Sequence, residues 1–223
     1  MTHFKKCKLE SDCVCEEQRY RLVLVLSFAI LLMEALGGIW SGSLALLADA
    51  GHVFADIFAV IVSIVVARSV RGRDRVAESH LRAFGGYVNA GLLLIVAVWV
   101  LYEAARRYLI PTEILGTEMF VVAVLGALGN YVQHTVLEDT DHEDRHITHR
   151  ALSVHVVSDM LQSVAVCIGA LVIIFTGWHL ADVFLSAAVG VVMTYWSLKL
   201  FFGSRAAHNG AHHHDHDYYR HSH

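Results

Sequence analysis

Hydrophobic residues occur along the chain in six long runs that are separated by short polar segments. Each run is near or beyond the length of about 18–20 apolar residues that an α-helix needs to cross a bilayer. Pro111, the one proline of the chain, falls between two of the runs. The pattern predicts an all-α polytopic membrane protein with six transmembrane helices. The runs cover roughly residues 20–40, 44–68, 83–105, 115–137, 151–176 and 180–202.

Composition and charge placement refine this prediction. Hydrophobic residues make up 56% of the chain, and the weak alternating segments of a membrane β-barrel are not seen. The net charge of −4 is modest, and no nucleic-acid partner is predicted. Lys and Arg cluster before the first run and between the second and third, so the positive-inside rule places both termini in the cytoplasm. The expected location is the bacterial inner or plasma membrane, as a multi-pass protein within the lipid bilayer.

Three polar segments stand apart from the hydrophobic runs. They are a cysteine-containing N-terminal tail (1–19), a histidine-rich cytoplasmic loop (138–150) and a histidine-rich C-terminal tail (205–223). None of them can bury enough apolar surface to fold alone. We therefore expect a single six-helix membrane domain over residues 20–204. In the cytoplasm the tail thiols Cys7, Cys13 and Cys15 should stay reduced.

Two of the predicted membrane helices carry the same polar motif, H-x-x-x-D. The second reads HVFAD from His52 to Asp56, and the fifth reads HVVSD from His155 to Asp159. Residues at i and i+4 lie on one helix face, about 6 Å apart along the axis. Two such helices facing each other offer two imidazole nitrogens and two carboxylates, a set that suits tetrahedral Zn²⁺.

The cost of charge in a bilayer favours a functional role for these residues. Two carboxylates and one divalent cation sum to zero charge, and protons should replace the metal when it leaves. The alternative is polar packing, in which each histidine bonds a neighbouring backbone carbonyl. A paired motif in separate membrane helices is harder to explain by packing alone.

Other polar residues are candidates for accessory metal sites. Asp49 lies one turn before His52, where it would orient that histidine, line an outer water cavity or bond a neighbouring helix end. His80 would act with Asp74 and Glu78 in the loop before the third helix. Three histidines of the acidic loop would collect zinc at the cytoplasmic mouth, or belong to a solvated charged loop: His142, His146 and His149.

The motifs resemble those of a known family. The segments SGSLALLADAGHVFADIFAVIVSIVVA and HRALSVHVVSDMLQSVAVCIGALVII look like helices 2 and 5 of the cation diffusion facilitators, and the similarity spans roughly Leu22 to Ser204. These are six-helix divalent-cation/proton antiporters, usually homodimers. The resemblance implies that His52, Asp56, His155 and Asp159 form the transport site. Their His/Asp composition is the version associated with zinc.

Many members of that family continue after the sixth helix into a folded cytoplasmic domain. Only residues 205–223 follow the last run here, which leads us to expect a member without that domain.

The leading functional hypothesis is a secondary transporter that exports Zn²⁺ from the cytoplasm in exchange for protons. Zinc would be its transported substrate, with no organic cofactor. Export of Cd²⁺, Co²⁺, Ni²⁺, Mn²⁺ or Fe²⁺ by the same mechanism is one alternative, and a membrane zinc-binding or sensor protein is another. An enzyme is not expected, because a zinc protease needs a motif such as H-E-x-x-H, which does not occur. No phosphate-binding loop for an ATP-driven pump occurs either.

The depths of the two motifs are hard to reconcile from the sequence. Counted from the outer ends of their runs at 1.5 Å per residue, His52 lies about 12 Å and His155 roughly 30 Å along its helix. They meet only if the fifth helix is tilted or projects past the membrane, or if the run boundaries are displaced.

Overall fold

A computed structural model of the chain gives the backbone of residues 12–70, 75–138 and 147–220, and the side chains of residues 21–70, 80–136 and 156–205. Within these ranges all the regular structure is helical, and there are six helices, which confirms the predicted all-α class. In chain order they are α1 (Asp12–Ser41), α2 (Leu44–Ser69), α3 (Arg75–Leu109), α4 (Gly116–Glu138), α5 (Ile147–Thr176) and α6 (Leu180–Arg220).

Each helix contains one of the predicted hydrophobic runs. All six have a stretch long and apolar enough to cross a membrane, so the prediction of six transmembrane helices is confirmed. Helix α1 begins at Asp12 and α6 continues to Arg220, so helical backbone extends into the segments predicted as tails. The division into domains and the cytoplasmic location of both termini stay predictions.

Short turns join the helices at one end of the bundle, which holds the α1–α2, α3–α4 and α5–α6 connections and is called the outer end below. Gly42, with φ of 75°, follows α1, and Gly177, with φ of 67°, follows α5. Glycine adopts this left-handed backbone without steric cost. Ser43 then starts α2 as its N-cap, since its Oγ accepts a hydrogen bond from the Leu46 N–H at 3.2 Å.

Close helix approaches hold α1, α2, α4 and α5 together, while α3 packs mainly along α6. A Cβ atom at Gly37 would lie 2.5 Å from Val122 of α4, and one at Gly38 would lie 2.9 Å from Leu47 of α2. The two glycines therefore let α1 approach both neighbours closely.

Burial along α2 differs between its two halves. Every buried residue of the helix lies between Leu44 and Ala55, and none lies between Asp56 and Ser69. Near the outer end, its residues Ala45 and Leu46 join an apolar cluster with residues of α4, α5 and α6. The bundle is thus enclosed around the outer half of α2 and open around the inner half.

An aspartate of α6 caps the start of α2, an arrangement called the Asp182 clasp below. Asp182 is fully buried, and its Oδ1 accepts hydrogen bonds from Ser43 Oγ at 2.5 Å and from the Ala45 N–H at 3.0 Å. Its Oδ2 accepts from the Leu44 N–H at 2.8 Å. The first N–H groups of a helix have no acceptor within that helix, and the helix dipole favours a carboxylate there.

The last turn of α3 also bonds the α1–α2 turn, through Arg107. The Arg107 guanidinium donates to the carbonyl oxygen of Gly42 and, through Nε, to Glu103 Oε1 at 3.0 Å. Arg106 also pairs with Glu103, at 2.6 Å. Both α3 and α6 are therefore bonded to the α1–α2 turn at the outer end.

Candidate metal centre

Three side chains from two helices converge near the middle of the bundle. His52 and Asp56 of α2 and Asp159 of α5 each offer one ligand atom, and these atoms lie within 4.8 Å of one another. His52 Nε2 is 3.5 Å from Asp56 Oδ2 and 3.8 Å from Asp159 Oδ1. We call them the metal group, because one nitrogen and two carboxylates at this separation are a donor set that suits a divalent cation.

The geometry follows from the H-x-x-x-D spacing and from the different lengths of the two helices. Asp159 lies about 26 Å from the outer end of α5, whereas His52 lies about 12 Å from the start of α2, at 1.5 Å per residue. The two side chains lie 3.8 Å apart, so α5 has about 14 Å more helix on the outer side of this contact than α2 has. Its outer turns pack on the start of α4, where a Cβ atom at Gly116 would lie 3.0 Å from Ile174.

The metal group lies where the enclosed part of α2 ends. Asp159 is 9% exposed at its side chain, His52 20% and Asp56 32%. The most exposed member is thus the one that begins the unenclosed half of the helix.

The fourth predicted ligand, His155, lies on α5 one turn before Asp159. An i, i+4 spacing places the two residues on the same helix face. The side chain of His155 is outside the described residues, so its part in the site stays a prediction.

The accessory histidines do not join the metal group among the described side chains. His80 lies in the inner part of α3, away from that group, and the side chains of its predicted partners Asp74 and Glu78 are outside the described residues. His142 and His146 are also outside them. His149 lies in the first turn of α5, and its side chain is not described.

Asp49 is bound by α5 instead of taking part in the metal group. It is 2% exposed, its Oδ1 accepts a hydrogen bond from Gln162 Nε2 at 2.6 Å, and its Oδ2 accepts from Ser163 Oγ at 3.4 Å. Gln162 and Ser163 are not among the site residues predicted from the sequence. Their position three and four residues after Asp159, inside a membrane helix, is the signal that points to them.

Glu34 of α1 is a further buried carboxyl group close to these residues. It is 1% exposed, and its Oε2 has no hydrogen-bond partner among the described side chains. The absence of a side chain at Gly126 makes room for it, since a Cβ there would lie 2.6 Å from Glu34 Oε1. Asp49 and Asp159 both interact with it electrostatically.

Comparison with known proteins gives a consistent set of matches. The family model described as the cation efflux transmembrane domain matches residues 21–206. The zinc transporter ZitB of Yersinia pestis is 37% identical over 178 residues, which are 76% of this chain and 57% of that protein. The metal cation efflux system protein CzcD of Cupriavidus metallidurans is 35% identical over 191 residues, 82% of this chain and 57% of that protein.

A more distant match is the cadmium, cobalt and zinc/H(+)-K(+) antiporter of Bacillus velezensis, which is 29% identical over 183 residues, 77% of this chain and 57% of that protein. The chain thus spans a little more than half the length of these relatives.

Proposed function

We propose, since this chain belongs to the cation efflux family, that it is a secondary transporter that exports divalent metal cations, above all Zn²⁺, from the cytoplasm. Its predicted family and its predicted place in a bacterial inner membrane, as a multi-pass protein, are confirmed by the family match, the bacterial relatives and the six spans. The observation that carries the proposal is the convergence of His52, Asp56 and Asp159 inside the membrane domain.

These three residues, with His155 as the expected fourth, would hold the ion during transport. Two carboxylates neutralise a divalent charge where the surroundings solvate it poorly. Mixed nitrogen and oxygen donors bind Zn²⁺ without the retention expected of an all-thiolate site. Such mixed donors also bind Cd²⁺ and Co²⁺, two ions that the name of the Bacillus velezensis relative includes.

Exchange for protons follows from the chemistry of such ligands. Carboxylates and imidazoles bind a metal only when deprotonated, so metal and protons compete for the same atoms. A site that is loaded with metal from a neutral cytoplasm and unloaded into a more acidic exterior is driven by the proton gradient. We place loading at the inner end, because Asp56 is the most exposed member of the metal group, and unloading requires the outer end to open.

The test is Zn²⁺ uptake into inside-out vesicles that contain the protein and carry an imposed pH gradient, acidic within. We expect uptake to accelerate with the gradient and to be accompanied by proton efflux from the lumen. Vesicles with Asp159→Ala serve as the control for leakage. Unchanged rate and accumulation after an ionophore collapses the gradient would exclude antiport, and binding without any flux would favour a zinc-binding or sensor protein.

Replacing His52 with aspartate should change the order of metal preference. The substitution puts an oxygen donor in place of a nitrogen, which favours harder cations such as Mn²⁺ over softer ones such as Cd²⁺. Competition of these ions with Zn²⁺ uptake measures the order. His134→Asp makes the same change in α4, outside the metal group, and should leave the order unchanged. An unaltered order in the His52 variant would argue against His52 as a direct ligand.

Several further expectations stay predictions. They are the homodimer, the absence of an organic cofactor, the absence of a nucleic-acid partner and the absence of enzymatic activity.

A further inference from the structure

A network of hydrogen bonds lies one helix turn outward from the metal group. Gln162 Nε2 donates to Asp49 Oδ1 at 2.6 Å, and Ser163 Oγ donates to Asp49 Oδ2 at 3.4 Å. Asn130 Nδ2 donates to Ser163 Oγ at 3.2 Å. We call these four residues of α2, α4 and α5 the polar layer.

Three of the four residues of the polar layer are enclosed by protein, and Gln162 is partly exposed. Asp49, Asn130 and Ser163 are each at most 3% exposed. Water does not replace a bond that is lost at such a position, so a carboxylate oxygen deprived of its donor stays unsatisfied. Buried networks of this kind hold their helices in one arrangement when all members are bonded.

The polar layer and the metal group are separated by the same number of residues on α2 and on α5. Asp49 precedes His52 by three residues on α2, and Gln162 follows Asp159 by three residues on the antiparallel α5. The bond between Asp49 and Gln162 is therefore almost one turn from the approach of His52 to Asp159 on both helices. A slip or rotation of α5 against α2 breaks the bond and separates the two ligands together.

We propose that Asp49 and Gln162 are positioning residues that hold α2 and α5 in the register required for metal binding. Asp49 acts through this bond and does not touch the ion, because donors from α5 engage both of its oxygens. The inference rests on the proposed function, since it assigns a role at the same site.

The α1 and α4 helices support the polar layer from behind. At Gly126 a Cβ atom would lie 2.6 Å from Glu34 Oε1 and 3.6 Å from Ser163 Oγ, so the bare backbone of α4 brings α1 and α5 together at this level. Asn130, one turn further along α4, bonds Ser163 directly. The position of α5 is thus fixed from two sides.

The decisive variant is Gln162→Leu, which leaves every carboxylate and imidazole in place. The measurement is equilibrium titration of the purified full chain with Co²⁺, whose visible absorption reports the coordination geometry. We expect binding to weaken roughly 10–100-fold, the range for residues that orient metal ligands, with a change in the absorption spectrum of the bound ion. A Gln162→Leu protein that binds Co²⁺ with the original affinity and spectrum would contradict a positioning role for Gln162.

A double-variant cycle tests whether Asp49 acts through the same bond. Asp49→Asn should weaken Co²⁺ binding by a similar factor, and the double variant Asp49→Asn with Gln162→Leu should bind no more weakly than the worse single variant. Losses that multiply would show two independent effects and overturn the proposed positioning bond.

A matched pair of serines separates positioning from general stabilisation. Ser163 and Ser197 are both 1% exposed, and each bonds another helix, Ser197 through its Oγ to the Ala90 carbonyl oxygen at 2.8 Å. Ser163→Ala should weaken Co²⁺ binding and alter the spectrum, whereas Ser197→Ala should do neither. If Gln162→Leu does not fold, this pair of serine variants tests the positioning role in its place.

Asp159→Ala distinguishes failure of this inference from failure of the proposed function. If Asp159→Ala loses Co²⁺ binding while Gln162→Leu and Ser163→Ala keep the original affinity and spectrum, the polar layer has no positioning role and the metal site stands. If Asp159→Ala keeps full binding, the proposed function fails and this inference fails with it.

Discussion

Replacing Asp159 with alanine should abolish saturable Zn²⁺ transport in a protein that still folds. Asp159 is the member of the metal group that α5 provides. Its Oδ1 lies 3.8 Å from His52 Nε2, and its side chain is 9% exposed. Its removal takes away one ligand and leaves one carboxylate to balance a divalent charge in surroundings that solvate it poorly. We expect the affinity for Zn²⁺ to fall by more than about 100-fold, since a ligand lost from the ion costs at least as much as the 10–100-fold loss of a residue that orients one.

Zn²⁺ uptake into vesicles and equilibrium binding to the purified protein both measure this effect. Glu118→Ala is the control, because it removes an exposed carboxylate from the first turn of α4, outside the metal group. It should transport and bind as the original protein does. Robust saturable transport by a folded Asp159→Ala protein would contradict the assignment of Asp159 as a ligand.

Replacing Asp182 with alanine should destabilise the membrane domain strongly. The Asp182 clasp satisfies three buried donors, namely Ser43 Oγ and the N–H groups of Leu44 and Ala45. An unsatisfied buried donor costs about 1–3 kcal/mol, so three of them imply a loss on the order of 3–9 kcal/mol. We expect a large fall in the temperature at which the detergent-solubilised protein loses its monodisperse peak in size-exclusion chromatography.

Ser186→Ala is the matched control for this variant. Ser186 is as fully buried as Asp182, and its Oγ donates to the Asp182 carbonyl oxygen one turn back in the same helix. Removing this hydroxyl breaks no hydrogen bond between helices, so the melting temperature should change little. A melting temperature for Asp182→Ala that matches that of Ser186→Ala would show that the start of α2 finds other acceptors.

The sequence predicts the helices well because the length of each apolar run is enough to identify them. A run of apolar residues long enough to cross a bilayer has few stable forms other than a helix, and short turns such as that at Gly42 separate the runs. The metal group is also predictable in part, because His52 and Asp56 share a helix face by their spacing alone, and the matching motif of α5 identifies Asp159.

The partners of polar side chains on distant helices are not predictable in this way. Asp182 and Gln162 look like isolated polar residues in apolar runs, and only the packing of α6 and α5 against α2 shows what they bind. The depth of the two H-x-x-x-D motifs within the bundle is likewise not predictable from the sequence. It depends on where along its length α5 contacts α2, which hydrophobic length does not fix.

The Asp182 clasp also bears on the order in which the chain is assembled in the membrane. Ser43 and Asp182 are 139 residues apart, so the ribosome completes α2, α3, α4 and α5 before the Asp182 carboxylate is available. Until then Ser43 is the N-cap of α2, and the N–H groups of Leu44 and Ala45 need other acceptors. Insertion of α6 is therefore the step that completes the hydrogen bonding at the start of α2.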